Sequence, residues 1–143
     1  MDMNMYFRQS WFDPRLRFGS WVMEDRLTGG EELMKAIWTP DTFFVNALNV
    51  RMHNEPNPQV SVKINRDGEV LLSQRLTASI KCPQHLETFS CDTQTCMLEI
   101  ESYGYTSNDI VYFGKSVDNL NFRIPHFEVK NAHVENNYIP VST

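Results

Sequence analysis

The sequence predicts an all-β protein, an antiparallel β-sandwich, on three observations. Apolar residues recur mostly with a period of two, and glycine, proline and asparagine punctuate short alternating runs. Only Gly30 to Ile37 has helical character, and it amounts to one or two turns.

The first strand opens the chain. Met1, Met3, Met5 and Phe7 alternate with Asp2, Asn4, Tyr6 and Arg8, so one face is apolar and the other carries an aromatic ring beside a guanidinium. Tyr6 and Arg8 therefore point the same way. Val60 to Ile80 reads as a hairpin: Val60, Val62 and Ile64 alternate with polar residues until Arg66-Asp67-Gly68 supplies a turn whose glycine tolerates positive φ. On the returning strand Val70, Leu72, Leu76, Ala78 and Ile80 share a face with Gln74. Leu71, Ser73, Arg75, Thr77, Ser79 and Lys81 take the other, which places Ser73 and Arg75 outward. A third run, Met97 to Tyr105, alternates Leu98 and Ile100 with Glu99 and Glu101 before Tyr103-Gly104-Tyr105 bends it. Short alternating pieces follow at 122–124, 127–129 and 134–141, separated by Pro125 and asparagine-rich turns.

At 143 residues, 41% hydrophobic and 22% charged, the chain has the size and composition of one globular domain. With 13 Lys and Arg against 18 Asp and Glu the net charge is −5, and no basic run could neutralise successive phosphates. Nucleic acid is therefore not an expected partner. No run approaches the roughly 18 to 20 apolar residues of a membrane span, and the first residues lack a secretory leader pattern. Strand character at the very start and an end without a terminating element suggest a piece, truncated at both ends, of something longer.

Three cysteines leave two readings open. A Cys82–Cys96 bridge would close a fifteen-residue loop around Cys91 and suit an exported domain, whereas three reduced thiols would suit a cytosolic one. Metal and cofactor sites are not expected. His53, His85, His126 and His133 are scattered, no Cys-x-x-Cys motif occurs, and Thr28-Gly29-Gly30 lacks the lysine and spacing of a phosphate loop. Glu99 and Glu101 share a strand face, an arrangement more typical of a solvated stripe than of paired catalytic carboxylates, and no nucleophile elbow is visible.

Four segments carry a specific resemblance. Cys82-Pro83 and Cys96, with Phe89, Asp92 and Gln94 between them, resemble the signature loop of the Cys-loop pentameric ligand-gated ion channels. Trp38-Thr39-Pro40-Asp41-Thr42-Phe43-Phe44-Val45-Asn46 is similar to that family's tryptophan-x-proline-aspartate segment. Phe7-Arg8-Gln9-Ser10-Trp11, followed by Asp13, Arg15 and Leu16, resembles its second strand, and Glu99 to Tyr105 resembles the stretch after the loop in the branch gated by γ-aminobutyrate, glycine, glutamate and histamine. The segments occur in the family's order over residues 1 to 143. One departure stands out: the proline that usually follows the loop aromatic is replaced by Ser90-Cys91 after Phe89. A non-proline cis bond there would cost about 2.5 to 4 kcal/mol, so a different tip is expected.

The resemblance implies an immunoglobulin-like sandwich with a Cys82–Cys96 disulfide, and residues 1–143 as a partial extracellular neurotransmitter-binding domain. It implies no enzymatic activity. An amino-acid transmitter needs a carboxylate and aromatic faces for its ammonium, and a guanidinium and hydroxyls for its carboxylate. By resemblance, Phe43, Glu101, the Ser102 backbone and Tyr103 belong to the principal face of one subunit, and Tyr6, Arg8 and Ser73 to the complementary face of the next. From residue type alone, Arg8 reads equally as half of a surface ion pair, and Tyr6, Phe43 and Tyr103 as packing aromatics. Trp38 and Asp41 read as structural, a buried indole and a turn-fixing carboxylate. The implied partners are an amino-acid transmitter and other subunits of a homo- or heteropentamer, with membrane contact only through segments outside this chain. The implied location is the extracellular side of a plasma membrane, postsynaptic or otherwise neuronal. Two other readings are a subunit that assembles without binding and a stand-alone carbohydrate-binding or adhesive sandwich.

Overall fold

The computed structural model describes residues 1–83, 93–118 and 132–136, together with the backbone of two short strands near the end. They fall into two compact units, Met1–Tyr103 and Gly104–Thr143.

In the first unit the alternation at the start becomes β1 (Asp2–Phe12), whose residues alternate between exposed and half-buried along its whole length. A single 3-10 turn (Pro14–Leu16) follows, then β2 (Arg26–Gly29), the short helix α1 (Glu31–Ala36), β3 (Thr42–Phe44) and β4 (Ala47–Met52). The predicted hairpin is β5 (Val60–Asn65) and β6 (Glu69–Ile80), and β7 is Ile100–Ser102. β6 is the spine of a five-stranded antiparallel sheet in the order β1-β6-β5-β2, with β4 also paired to β6. β3 and β7 form a separate antiparallel pair. In the second unit β8 (Arg123–Ile124) pairs antiparallel with β9 (Phe127–Glu128).

The inward residues of β6 build the core in two clusters. Val70 and Leu72 meet Val62 and Ile64 of β5, and this end is covered by Leu33 and Met34 from α1. Leu76, Ala78 and Ile80 meet Phe44 of β3 and Leu98, which closes the other end with the second sheet. Gln74 falls between the clusters, and its amide donates to the Met34 sulfur at 3.4 Å. The two sheets also touch where Phe7 and Phe44 meet edge-on at 5.2 Å and where the Thr42 hydroxyl donates to Gln9 Oε1 at 2.5 Å. The all-β sandwich expected from the sequence is thus the architecture found.

Three expectations change. Trp38 is not a buried indole: it is 38% exposed and rests edge-on against Trp11 at 5.9 Å. The run Met97 to Tyr105 is a three-residue strand rather than a long one, with bends at Tyr103 and Gly104. Among the described residues of 134–141, Val134 to Asn136 are not strand, and the rest of that run lies outside the described residues. Phe89, Ser90 and Cys91 of the loop tip also lie outside them.

Gly68 is the turn glycine the sequence requires. Its φ is +94°, and a Cβ would stand 2.5 Å from the Asp13 carbonyl oxygen. Gly68→Ala is expected to cost about 1 to 3 kcal/mol, read as a lowered midpoint in denaturant with an unchanged slope.

Among the described residues Asp13 is the charged side chain that is buried, 5% exposed. It caps the 3-10 turn by accepting the Arg15 amide at 3.0 Å, and it takes two guanidinium bonds from Arg15 at 2.9 and 2.7 Å. The side-chain hydrogen bond from Arg15, helped by the Arg15 amide and charge, outweighs burial and holds this carboxyl below the usual carboxylate value. A depressed carboxylate contributes stability that is complete above the unfolded value of about 3.9 and lost as pH falls through the folded one. Asp13→Asn is therefore expected to lower the melting temperature near pH 7, with the gap to the wild type closing as the pH falls below about 4. A gap of constant size down to about pH 2 would show that the Asp13 charge has no such role.

Candidate functional site

Each of the seven predicted site residues lies in the first unit, in two groups on different sheets. The first group sits on the outward face of β1 and β6. Arg8 is the cross-strand partner of Ser73, and Tyr6 is the partner of Arg75, so Tyr6, Arg8 and Ser73 occupy adjoining rows of one face. Tyr6 is 66% exposed, Arg8 is exposed and Ser73 is half-buried. Ser73 is in turn the partner of Ser61 on β5, which extends the Arg8 row across three strands.

The second group is assembled by β3 and β7. Phe43 pairs with Glu101 and Thr42 with Ser102, which joins segments nearly sixty positions apart. The Phe43 and Tyr103 rings meet edge-on with centroids 5.7 Å apart, and Tyr103 is 85% exposed. Glu101 is exposed beside them. An exposed carboxylate next to two aromatic rings can attract an ammonium, and a guanidinium with neighbouring hydroxyls can attract a carboxylate.

Backbone and side-chain bonds fix the second group. Asp41 does act as a fastening carboxylate: its Oδ1 accepts the Ser102 hydroxyl at 2.5 Å, and its carbonyl accepts the Tyr103 amide at 3.3 Å. Asn46 is a positioning residue that residue type and spacing did not single out. Its amide nitrogen donates to the Met97 carbonyl at 2.7 Å and its Oδ1 accepts the Glu99 amide at 3.1 Å. This side chain prolongs the β3–β7 ladder where the backbone turns away. Its only sequence signal is its place at the end of the tryptophan-proline-aspartate segment.

Cys82 and Cys96 are joined in a disulfide, with Cα atoms 5.2 Å apart. Of the two readings the thiols left open, the bridge is the one found. Cys96 packs against the Leu76, Ala78 and Ile80 cluster, so the bridge ties the start of β7's segment to the end of β6. No group of three or more His, Cys, Asp or Glu side chains among the described residues is arranged to hold a metal. An open depression of about 490 Å³ at the β5–β6 turn is lined by Asp25, Arg26, Asn65, Arg66 and Asp67, none of them a predicted site residue.

The family model of the neurotransmitter-gated ion-channel ligand binding domain matches residues 1–140. The chain belongs to this family. Over 137 residues it is 36% identical to glycine receptor subunit beta of Rattus norvegicus, of Mus musculus and of Homo sapiens, a match that covers 93% of this chain and 28% of each relative. The chain thus spans little more than a quarter of the length of those curated relatives. Membership places the chain among ligand-gated ion channels rather than enzymes, so the stand-alone adhesive reading falls away. Within this ligand-binding domain, no described helix is long and apolar enough to cross a membrane.

Proposed function

We propose that this domain is the extracellular agonist-binding part of a pentameric, anion-selective channel at the plasma membrane, opened by γ-aminobutyrate or a similar small amino acid. The observation that carries the proposal is the gathering of the seven residues into two chemically opposite groups. Phe43, Glu101 and Tyr103 suit an ammonium, and Tyr6, Arg8 and Ser73 suit a carboxylate. As the resemblance to the family implies, the ligand is held between the principal group of one subunit and the complementary group of its neighbour. Both occur in this chain, so the reading serves homomers and heteromers alike. Agonist that binds the contracted interface more tightly than the relaxed one shifts the pore toward open by that difference in affinity. Similarity to glycine receptor subunits supports an amino-acid agonist, and the branch resemblance of Glu99 to Tyr105 favours chloride as the permeant ion.

The test is radioligand binding and current recording on receptors assembled from the full-length subunit. γ-Aminobutyrate or glycine is expected to bind and to open a conductance that reverses at the chloride potential. Histamine, which lacks the carboxylate, would leave Arg8 desolvated without a partner and is expected to bind about 100-fold more weakly. Equal affinity for histamine and the amino acids would overturn the assignment of Arg8, and absence of binding in every assembly would favour a subunit that contributes contacts only.

A further inference from the structure

The outward face that carries Arg8 holds a second guanidinium to which residue type alone gave no role. Arg75 lies in the adjoining row, opposite Tyr6, with its guanidinium carbon 5.9 Å from the centre of the Tyr6 ring. Its position is fixed from two sides: Nε donates to Asn4 Oδ1 at 3.3 Å and a terminal nitrogen donates to Gln59 Oε1 at 3.1 Å. Both acceptors are neutral. Among the described residues the ion pairs involve Asp13, Asp25, Glu31 and Glu135, and neither Arg8 nor Arg75 takes part in one. By strand parity the acids of this face, Asp2 and Glu69, stand at its two ends, and each accepts a hydrogen bond from a neutral side chain there, Ser79 and Asn65. The middle of the face is therefore positively charged in a chain whose net charge is −5.

We propose that Arg75 is the positioning residue of this face: held by Asn4 and Gln59, it fixes the Tyr6 ring beside Arg8. The inference rests on the amino-acid binding proposed above and goes beyond it in assigning Tyr6. A cation already stacked on an aromatic face occupies the place a ligand ammonium would take, and like charge repels a second one. Tyr6 then acts as a wall held in place for the carboxylate end of the ligand, and the ammonium is left to the Phe43 and Tyr103 side. Arg75 touches the ring and not the ligand.

A double-mutant cycle on receptors assembled from the full-length subunit tests this, with Arg75→Ala, Tyr6→Ala and the pair, reading half-saturating agonist concentration alongside surface receptor number. Arg75→Ala is expected to raise that concentration about 3- to 10-fold, and Tyr6→Ala by at least as much. The double variant should be little worse than Tyr6→Ala alone, because Arg75 acts through the ring. Arg75→Lys, which keeps the charge but not the planar fork, is expected to recover part of the loss. Effects that multiply in the double variant would overturn the proposal. So would an Arg75→Ala receptor that reaches the surface in smaller numbers with its half-saturating concentration unchanged, the mark of a purely structural role. Arg8→Ala separates the two levels. If it weakens the agonist while Arg75→Ala does not, only the role of Arg75 falls; if neither variant changes agonist response, the binding site itself is elsewhere.

Discussion

Arg8→Ala is expected to raise the half-saturating concentration of an amino-acid agonist by about 100-fold or more, with little change in the amount of receptor assembled. Arg8 is exposed on β1 and buries nothing in either core cluster, so its loss should leave the fold intact. Its partner across the ladder is Ser73, a hydroxyl rather than an acid, so the guanidinium enters binding with no internal carboxylate to displace. Two parallel charge-assisted hydrogen bonds to a ligand carboxylate are worth roughly 1.5 to 3 kcal/mol each, and alanine forfeits both. Arg8→Lys keeps the charge without the fork and should fall between, about 10-fold weaker than wild type. Radiolabelled agonist binding to the assembled receptor measures each variant. Unchanged affinity in Arg8→Ala would remove the complementary face from the site altogether.

How much of this was legible in the residues follows from where burial is one-sided. β1 and the β5–β6 hairpin were readable because one face of each is covered along its length, which forces strict alternation. β2 was not readable: three of its four residues are exposed, so burial imposes no pattern on Arg26 to Gly29. β4 hides itself differently. A register shift between Ala47 and Asn49 moves the alternation by one position, and Leu48 is left 74% exposed in the middle of the break. β3 has three half-buried residues and no period to detect. The misjudged Trp38 has the same origin, since a large apolar ring says nothing by itself about whether the neighbouring Trp11 covers it or only touches its edge.

The site divides in the same way. That Tyr6 and Arg8 share a face follows from strand parity alone, and so does the outward direction of Ser73 and Arg75. That Arg8 faces Ser73 and Tyr6 faces Arg75 depends on the register between β1 and β6, which no local pattern encodes. The meeting of Phe43 with Glu101 was reached only through likeness to a family, because it pairs strands whose sequence separation offers no periodic signal. Asn46 was missed because its function is geometric. An amide side chain that stands in for a missing backbone rung looks, in sequence, like any turn asparagine.

Removing the bridge is expected to cost stability on the scale of the whole domain rather than of one contact. Closing a loop of this length lowers the entropy of the unfolded chain by an amount equivalent to about 3 kcal/mol, which corresponds to roughly 10 °C in melting temperature for a domain of this size. The figure is large here for a second reason. Cys96 packs on Leu76, Ala78 and Ile80, and the segment it begins leads within a few residues to β7, which pairs with only three residues of β3. So short a ladder depends on its anchor. Replacing both cysteines together, Cys82→Ala with Cys96→Ala, avoids leaving a lone thiol at either position to mispair with Cys91. Thermal melts of this pair, and of the wild type with and without reductant, should agree: both losses of the bridge lower the midpoint to a similar degree. The expectation includes a local signature, earlier hydrogen exchange at the Glu101 and Tyr103 amides than along β5 and β6, because β7 loses its tether while the hairpin keeps its core. A midpoint that moves by less than about 2 °C on reduction, with exchange at β7 unchanged, would show that the β3–β7 pair is held by its own contacts and that the covalent ring is incidental to the principal face.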